Sequence, residues 1–104
     1  MPDQDRDKAR RTATSIISRE RRKQLDRFPE RFDDERLGTD LLDFVAILTQ
    51  YAGRIAEQGV QQSSGRTVDW TAVAVSSAKC GAVATAMLES LIATGKVKPT
   101  EVKI

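Results

Sequence analysis

The chain has 104 residues, a formal net charge of +2, 39% hydrophobic residues and 31% charged residues. This length predicts one domain, over residues 1–104, with a core for three or four helices and no room for a large enzyme cleft. The sequence contains no histidine and one cysteine, Cys80. These counts exclude histidine-based catalysis, histidine metal ligands, an internal disulfide and a Cys-x-x-Cys metal site.

The first part of the chain is basic, because residues 1–27 contain nine Lys or Arg against five Asp or Glu. After a flexible tail over residues 1–5, a thin apolar stripe with helical spacing predicts a charged helix over about 6–27. A basic cluster within this helix is typical of a solvated helix face, although a cationic helix can also bind nucleic-acid phosphates. The cluster consists of Arg19, Arg21, Arg22 and Lys23.

A proline at position 29 predicts the end of the first helix, and an acidic connector predicts a short turn near 33–37. The clearest amphipathic pattern follows, and it predicts a second helix over about 40–58 with Thr39 as N-cap and Gly59 as its stop. A polar loop is expected over residues 60–68. The apolar face of the second helix contains Leu41, Phe44, Val45, Leu48, Tyr51, Ala52 and Ile55.

Small side chains dominate the third predicted helix, over about 69–94, which begins at the good N-cap residue Asp69 and is followed by Gly95. Small residues let another backbone approach closely, so we expect this helix to be central and to need at least two neighbours. The tail over 96–104 is expected to be flexible. A homodimer is expected through the small-residue face or the Leu41–Ile55 face. The candidate interface residues of the third helix are Trp70, Ser77, Gly81, Ala84 and Leu88.

A magnesium site is the candidate metal centre of this sequence. Asp40 and Asp43 lie on one helix face at i, i+3, and Glu57 is the remaining plausible ligand. However, acidic residues in the first turn of a helix are also favoured by the helix dipole. The third helix has no carboxylate between Asp69 and Glu89 that could complete such a site. We therefore expect no cofactor, and Mg²⁺ only if the protein is an enzyme.

Several short segments occur in a recognisable order along the chain. They are Arg-Glu-Arg-Arg-Lys-Gln at 19–24, Phe-Asp-Asp-Glu at 32–35, Thr-Asp-Leu-Leu at 39–42, Tyr-Ala at 51–52, Trp70, Ala-Lys-Cys-Gly-Ala-Val at 78–83 and Met-Leu-Glu-Ser-Leu at 87–91. In this order they resemble a group of small, mostly uncharacterised proteins encoded by phages and prophages. That group is similar in turn to the MazG-like all-α nucleotide pyrophosphohydrolases, which use magnesium to hydrolyse nucleoside triphosphates. The resemblance implies an α-helical fold whose subunits share helices.

The sequence departs from the MazG-like pattern where that family holds its metal. The family has a Glu-Glu-x-x-Glu run on one helix and Glu-x-x-Asp on the next. Here the matching segments read Gln-Tyr-Ala-Gly-Arg at 50–54 and Ser-Ala-Lys-Cys-Gly at 77–81. Arg54 and Lys79 carry the wrong sign for binding magnesium. The resemblance therefore implies a related fold that lacks the metal site.

Together these patterns predict an all-α protein of three main helices that acts by binding. The leading hypothesis is a non-enzymatic accessory protein of phage or prophage type, working as a helical oligomer on a host or phage protein or on a nucleotide. One alternative is a nucleic-acid-binding protein that uses the basic first helix. Another is a magnesium-dependent nucleotide pyrophosphohydrolase. The sequence predicts no membrane-spanning helix, no signal peptide and no membrane partner, and hence a cytoplasmic protein. The resemblance to phage and prophage proteins implies that this cytoplasm is that of a bacterial host.

Overall fold

The computed structural model describes residues 2–27 and 41–103, and the regular structure of these residues is helical throughout. The helices are α1 (Asp3–Arg27), α2 (Leu41–Ser63) and α3 (Trp70–Ala93), followed by one 3-10 turn at Pro99–Glu101. The predicted all-α class with three main helices is confirmed. The expected turn near 33–37, Thr39 and Asp40 lie outside the described residues.

The third helix lies at the centre, because α3 packs against both α1 and α2. It contributes the fully buried residues Ala82, Val83 and Ala86, and Phe44 of α2 completes the small buried cluster. The expectation that α3 needs two neighbours is therefore confirmed within one chain. Partly buried apolar side chains surround the cluster, and they are Ile47, Leu48, Tyr51, Met87 and Leu91.

The contact between α1 and α3 depends on a glycine. A Cβ atom at Gly81 would lie 2.9 Å from Cδ1 of Ile17 and 3.1 Å from its Cγ1. The absence of a side chain at Gly81 therefore lets α1 approach α3 closely, as the run of small residues predicts. The small-residue face of α3 thus packs, at Gly81, against a helix of the same chain.

Both ends of α3 follow the sequence signals. The Asp69 carboxylate accepts a hydrogen bond of 3.0 Å from the backbone N–H of Ala72, which satisfies one of the free donors at the helix start. At the other end Gly95 has φ of 73°, and its N–H donates to the carbonyl of Ile92. A left-handed glycine after the last helical turn is a common C-terminal cap.

Two predicted boundaries differ from the structure. The first helix begins at Asp3, three residues before the expected start at residue 6. The stop predicted at Gly59 is wrong, because α2 continues through it to Ser63. The glycine that ends α2 is Gly65, which has φ of 72° and donates to the carbonyl of Gln62.

A glycine in the interior of a helix does not by itself end the helix. A glycine inside a helix costs only about 1 kcal/mol relative to alanine, so tertiary contacts can outweigh it. The side chain of Gln58 accepts a hydrogen bond of 2.8 Å from the backbone N–H of Asp69, which ties the C-terminal half of α2 to the start of α3. The connection between these helices is therefore residues 64–69, shorter than the predicted loop over 60–68.

Among the described helices, α3 has the length and composition that could cross a membrane. This is a weak indication, since the core helix of a soluble bundle has the same features. In this structure Glu89 and Lys79 of α3 form ion pairs with side chains of α1.

Candidate functional site

The predicted basic cluster of α1 does not form one surface. Arg21 is 7% exposed and lies against α3, where its Nε and Nη2 atoms are 3.0 and 2.9 Å from Oε2 of Glu89. Its guanidinium therefore stabilises the packing of α1 on α3. Arg19, Arg22 and Lys23 are exposed. The structure thus separates Arg21 from the three cations that solvent can reach.

A groove between α1 and α3 collects part of the remaining positive charge. It has a volume of about 460 Å³, and Arg19 and Lys23 of α1 line it together with Lys79 of α3. Lys79 Nζ lies 3.4 Å from Oε1 of Glu20, which also lines the groove. Three cations therefore face one carboxylate, so the groove is net positive. Its apolar lining consists of Ile16, Ala74, Val75 and Ala78.

Lys79 was missed by sequence reasoning as a member of a basic site, because it belongs to a different helix from the cluster. The charge on Lys79 also takes part in the contact between α2 and α3. Its Nζ lies 5.5 Å from the ring centroid of Tyr51, and the Arg54 guanidinium carbon lies 5.4 Å from the same centroid. Both distances permit a cation–π attraction. Arg54 and Lys79 therefore both lie near the ring of Tyr51.

The acidic residues considered as metal ligands are not brought together. Asp43 and Glu57 are both exposed on α2, and the rise of an α-helix places them about 21 Å apart along its axis. Within the described residues, no three His, Cys, Asp or Glu side chains form a group that could hold a metal ion. Asp40, the third candidate, lies outside the described residues.

The candidate interface residues of α3 divide into two groups. Trp70, Ser77, Ala84 and Leu88 are exposed, and the indole of Trp70 is the most open of the large apolar groups on this helix, at 63%. Gly81 is half-buried and is covered by Ile17. The part of this face around Gly81 is thus occupied by α1, and the part at Trp70 and Leu88 remains open.

The residues of the predicted apolar face of α2 also fall into a buried group and an exposed group. Phe44, Leu48, Tyr51 and Ile55 are buried or half-buried on the side toward α3, but Leu41, Val45 and Ala52 are exposed. These three belong to a second apolar strip, which we call the outer face of α2. Every member is exposed and none is charged. The outer face consists of Leu41, Leu42, Val45, Thr49, Ala52, Gly53, Ala56, Gly59 and Val60.

No family model, no curated protein and no solved structure matches this chain. The described residues themselves define the class, which is an all-α protein built from three helices with α3 in the middle. Its candidate functional features are a net positive groove between α1 and α3, and apolar surfaces on α2 and α3 that these helices do not cover.

Proposed function

We propose that this protein acts by binding, as a helical oligomer of phage or prophage accessory type in the cytoplasm of a bacterial host, without catalysis of its own. A second protein surface, either another copy or a host or phage protein, is the partner that its exposed side chains suit best. The observation that carries this proposal is the exposure of large apolar residues on α2 and α3.

The exposed apolar groups are too many for an isolated small domain to keep in water without cost. Leu42 is 82% exposed, Trp70 is 63% exposed, and Leu41 and Val60 are each more than half exposed. Burying such area against a partner gains about 25 cal/mol per Å². Apolar patches that stay exposed often mark interaction sites on soluble proteins. An exposed tryptophan is also the residue type most often found at the energetic centre of an interface.

The arrangement of the described helices leads to the same proposal. The central helix α3 has α1 and α2 as neighbours, and apolar side chains of α2 and α3 remain exposed beside them.

The test is the mass of the purified protein in solution across a range of concentrations. Sedimentation equilibrium should give a mass above 11.5 kDa, and the thermal midpoint should rise with protein concentration because association stabilises the folded state. The same protein should show no magnesium-dependent hydrolysis of nucleoside triphosphates. A monomer at every concentration would contradict the proposed oligomer, and magnesium-dependent hydrolysis would contradict the proposed absence of catalysis.

A second candidate function is nucleic-acid binding, which the net positive groove favours. Arg19 and Lys23 of α1 and Lys79 of α3 line this groove, and Lys79 is ion-paired there with Glu20. A protein that neutralises Z phosphates of B-DNA loses affinity with salt at a slope of about −0.9Z. If the groove binds DNA, the variant Arg19→Ala with Lys23→Ala should reduce this slope by about 2. Arg6→Ala with Arg11→Ala removes two exposed charges of the same helix away from the groove, and it is the matched control.

A further inference from the structure

We infer that the groove between α1 and α3 binds a single-chain amphipathic anion, which is a small molecule with one anionic head and one apolar chain, such as a long-chain carboxylate. The inference goes beyond the proposed function, since it requires neither an oligomer nor a protein partner. It comes from the order of side chains along the groove, which has a cationic end and an apolar end.

The apolar end is a second cavity that continues the net positive groove. It has a volume of about 210 Å³ and shares Ile16, Ala74 and Ala78 with the larger cavity. In the described part of the chain, no charged side chain lines this second cavity. Its remaining lining residues are Ala13, Ile17 and Ser77.

The walls of the groove expose apolar area that a bound chain would cover. Ile16 of α1 is 39% exposed, and Val75 of α3 is 49% exposed. The Ser77 hydroxyl donates a hydrogen bond of 2.8 Å to the carbonyl of Val73, so its proton is already used within α3. Burial of apolar area is favourable by about 25 cal/mol per Å², and an apolar chain is the part of a ligand that gains it here.

The cationic end is formed by Arg19 and Lys23, which lie one helical turn apart at i, i+4. Like charges at this spacing repel each other. The positions three and four residues on either side of Arg19 hold no carboxylate. Glu20 is paired with Lys79, and within the described residues no ion pair involves Arg19 or Lys23. An anionic head between these two cations relieves their repulsion and accepts charge-assisted hydrogen bonds from both.

The dimensions of the groove suit a linear small molecule. Ala13 and Lys23 are ten residues apart on α1, which corresponds to about 15 Å along the helix axis. The larger cavity, of about 460 Å³, lies within the range of about 300–1,000 Å³ that is typical of small-molecule sites. A ligand with its head at Lys23 therefore extends its chain along α1 toward Ala13.

The apolar end distinguishes this ligand from a nucleic acid. A DNA backbone can contact the cations, but it has no apolar chain for the second cavity, and Glu20 adds a negative charge to the wall. A neutral apolar molecule fits the second cavity, but it gains nothing from Arg19 and Lys23. A molecule with both an anionic head and an apolar chain uses the whole groove.

The first experiment compares ligands by isothermal titration calorimetry of the wild-type protein at constant ionic strength. The probes are octanoate, decanoate and dodecanoate, each below its critical micelle concentration. Each methylene that becomes buried tightens binding by up to about fourfold, so dodecanoate should bind at least tenfold more tightly than octanoate. Dodecyltrimethylammonium has the same chain with a cationic head, and it should bind at least tenfold more weakly than dodecanoate.

The second experiment locates the site with exposed single substitutions on α1. Lys23→Gln removes a cation of the groove, and Lys8→Gln is its matched control outside the groove. Ala13→Gln places a polar group in the apolar end, and Ala9→Gln is its matched control. Glutamine is a good helix former, so all four variants should keep the helix content of the wild type by circular dichroism. We expect Lys23→Gln and Ala13→Gln to weaken dodecanoate binding at least threefold and the controls to leave it unchanged.

Each contrary result has a distinct meaning. Equal affinity for dodecanoate and dodecyltrimethylammonium would overturn the role of the cationic end. Unchanged binding in both Lys23→Gln and Ala13→Gln would overturn the inference, because the chain would then lie on another apolar surface, such as the outer face of α2.

Two further probes test other anionic partners. If a short DNA duplex binds in a salt-dependent way that Lys23→Gln weakens, and dodecanoate does not bind, the second candidate function is supported and this inference is overturned. Binding to phosphatidylglycerol vesicles without binding to dodecanoate would indicate a membrane surface and would also overturn it. Sedimentation equilibrium tests the proposed oligomer separately, so either proposal can fail while the other stands.

Discussion

Replacement of Gly81 by alanine tests whether the close contact between α1 and α3 exists as described. In an unobstructed helix interior the change Gly→Ala stabilises by about 1 kcal/mol. Here the new methyl group would lie 2.9, 3.1 and 3.4 Å from Cδ1, Cγ1 and Cγ2 of Ile17. Overpacking of this kind costs about 1–3 kcal/mol. We therefore expect Gly81→Ala to change the free energy of unfolding by between zero and about −2 kcal/mol, instead of raising it.

A double-mutant cycle identifies the cause of that loss. Ile17→Val removes Cδ1, the atom nearest to the new methyl group, and by itself should cost about 0.5–1 kcal/mol, the lower part of the range for buried Ile→Val changes. On the Ile17→Val background, Gly81→Ala should be less destabilising by about 1 kcal/mol. Residues in contact show coupling energies of about 0.5–3 kcal/mol, whereas distant sites add.

The assay is urea denaturation of the four proteins, followed by circular dichroism at one fixed protein concentration. For a domain of this size, 1 kcal/mol corresponds to a shift of about 4–8 °C in the thermal midpoint, so melts provide an independent check. The reasoning is refuted if Gly81→Ala stabilises the protein by the full helix-propensity gain on both backgrounds, since α1 would then not lie against Gly81.

Three further substitutions have smaller predicted effects, each read from urea or thermal denaturation. Glu89→Gln removes the charge opposite buried Arg21 and should lower the free energy of unfolding by about 1–2 kcal/mol. This is less than for a fully buried ion pair, because Glu89 is half exposed. Equal stability of the variant and the wild type would contradict this prediction. Asp69→Ala removes the N-cap of α3 and should cost about 1 kcal/mol, whereas Asp69→Asn should cost much less. Gly95→Ala places a side chain at φ of 73° and should cost about 1 kcal/mol, unlike Lys96→Ala beside it.

The parts of the fold that could be predicted from sequence are those set by local chemistry. Asp69 and Gly95 bound α3 because an N-cap carboxylate and a left-handed glycine act within one turn of the helix. The prediction at Gly59 failed because a glycine stops a helix only when the chain turns there. Nothing local distinguishes Gly59 from Gly65. The hydrogen bond between Gln58 of α2 and Asp69 at the start of α3 joins residues 11 apart in the sequence.

For the basic cluster, too, the sequence pattern could indicate which residue is buried but could not identify its contact partner. Arg21 lies four residues after Ile17, and Gln24 lies seven after it, so the three occupy one helix face, and both Arg21 and Gln24 are buried. That spacing was the available signal that Arg21 continues the apolar stripe of α1. Its partner Glu89 is 68 residues away, so no local pattern could identify the pair. The contribution of Lys79 to the groove depends on the same packing of α1 on α3.

The amphipathic pattern correctly predicted α2 as a helix, but it did not show that α3 would cover only some of the apolar residues. The apolar residues that stay exposed are the basis of the proposed oligomer. The sequence gives α2 a wide apolar face, and one neighbouring helix can cover only part of its circumference. In the described residues that neighbour is α3, which covers Phe44, Leu48 and Tyr51. A helix that is apolar on two sides needs a neighbour on each. The exposed side, with Leu42 at one end and Gly59 near the other, is therefore the part of α2 that the described helices leave uncovered.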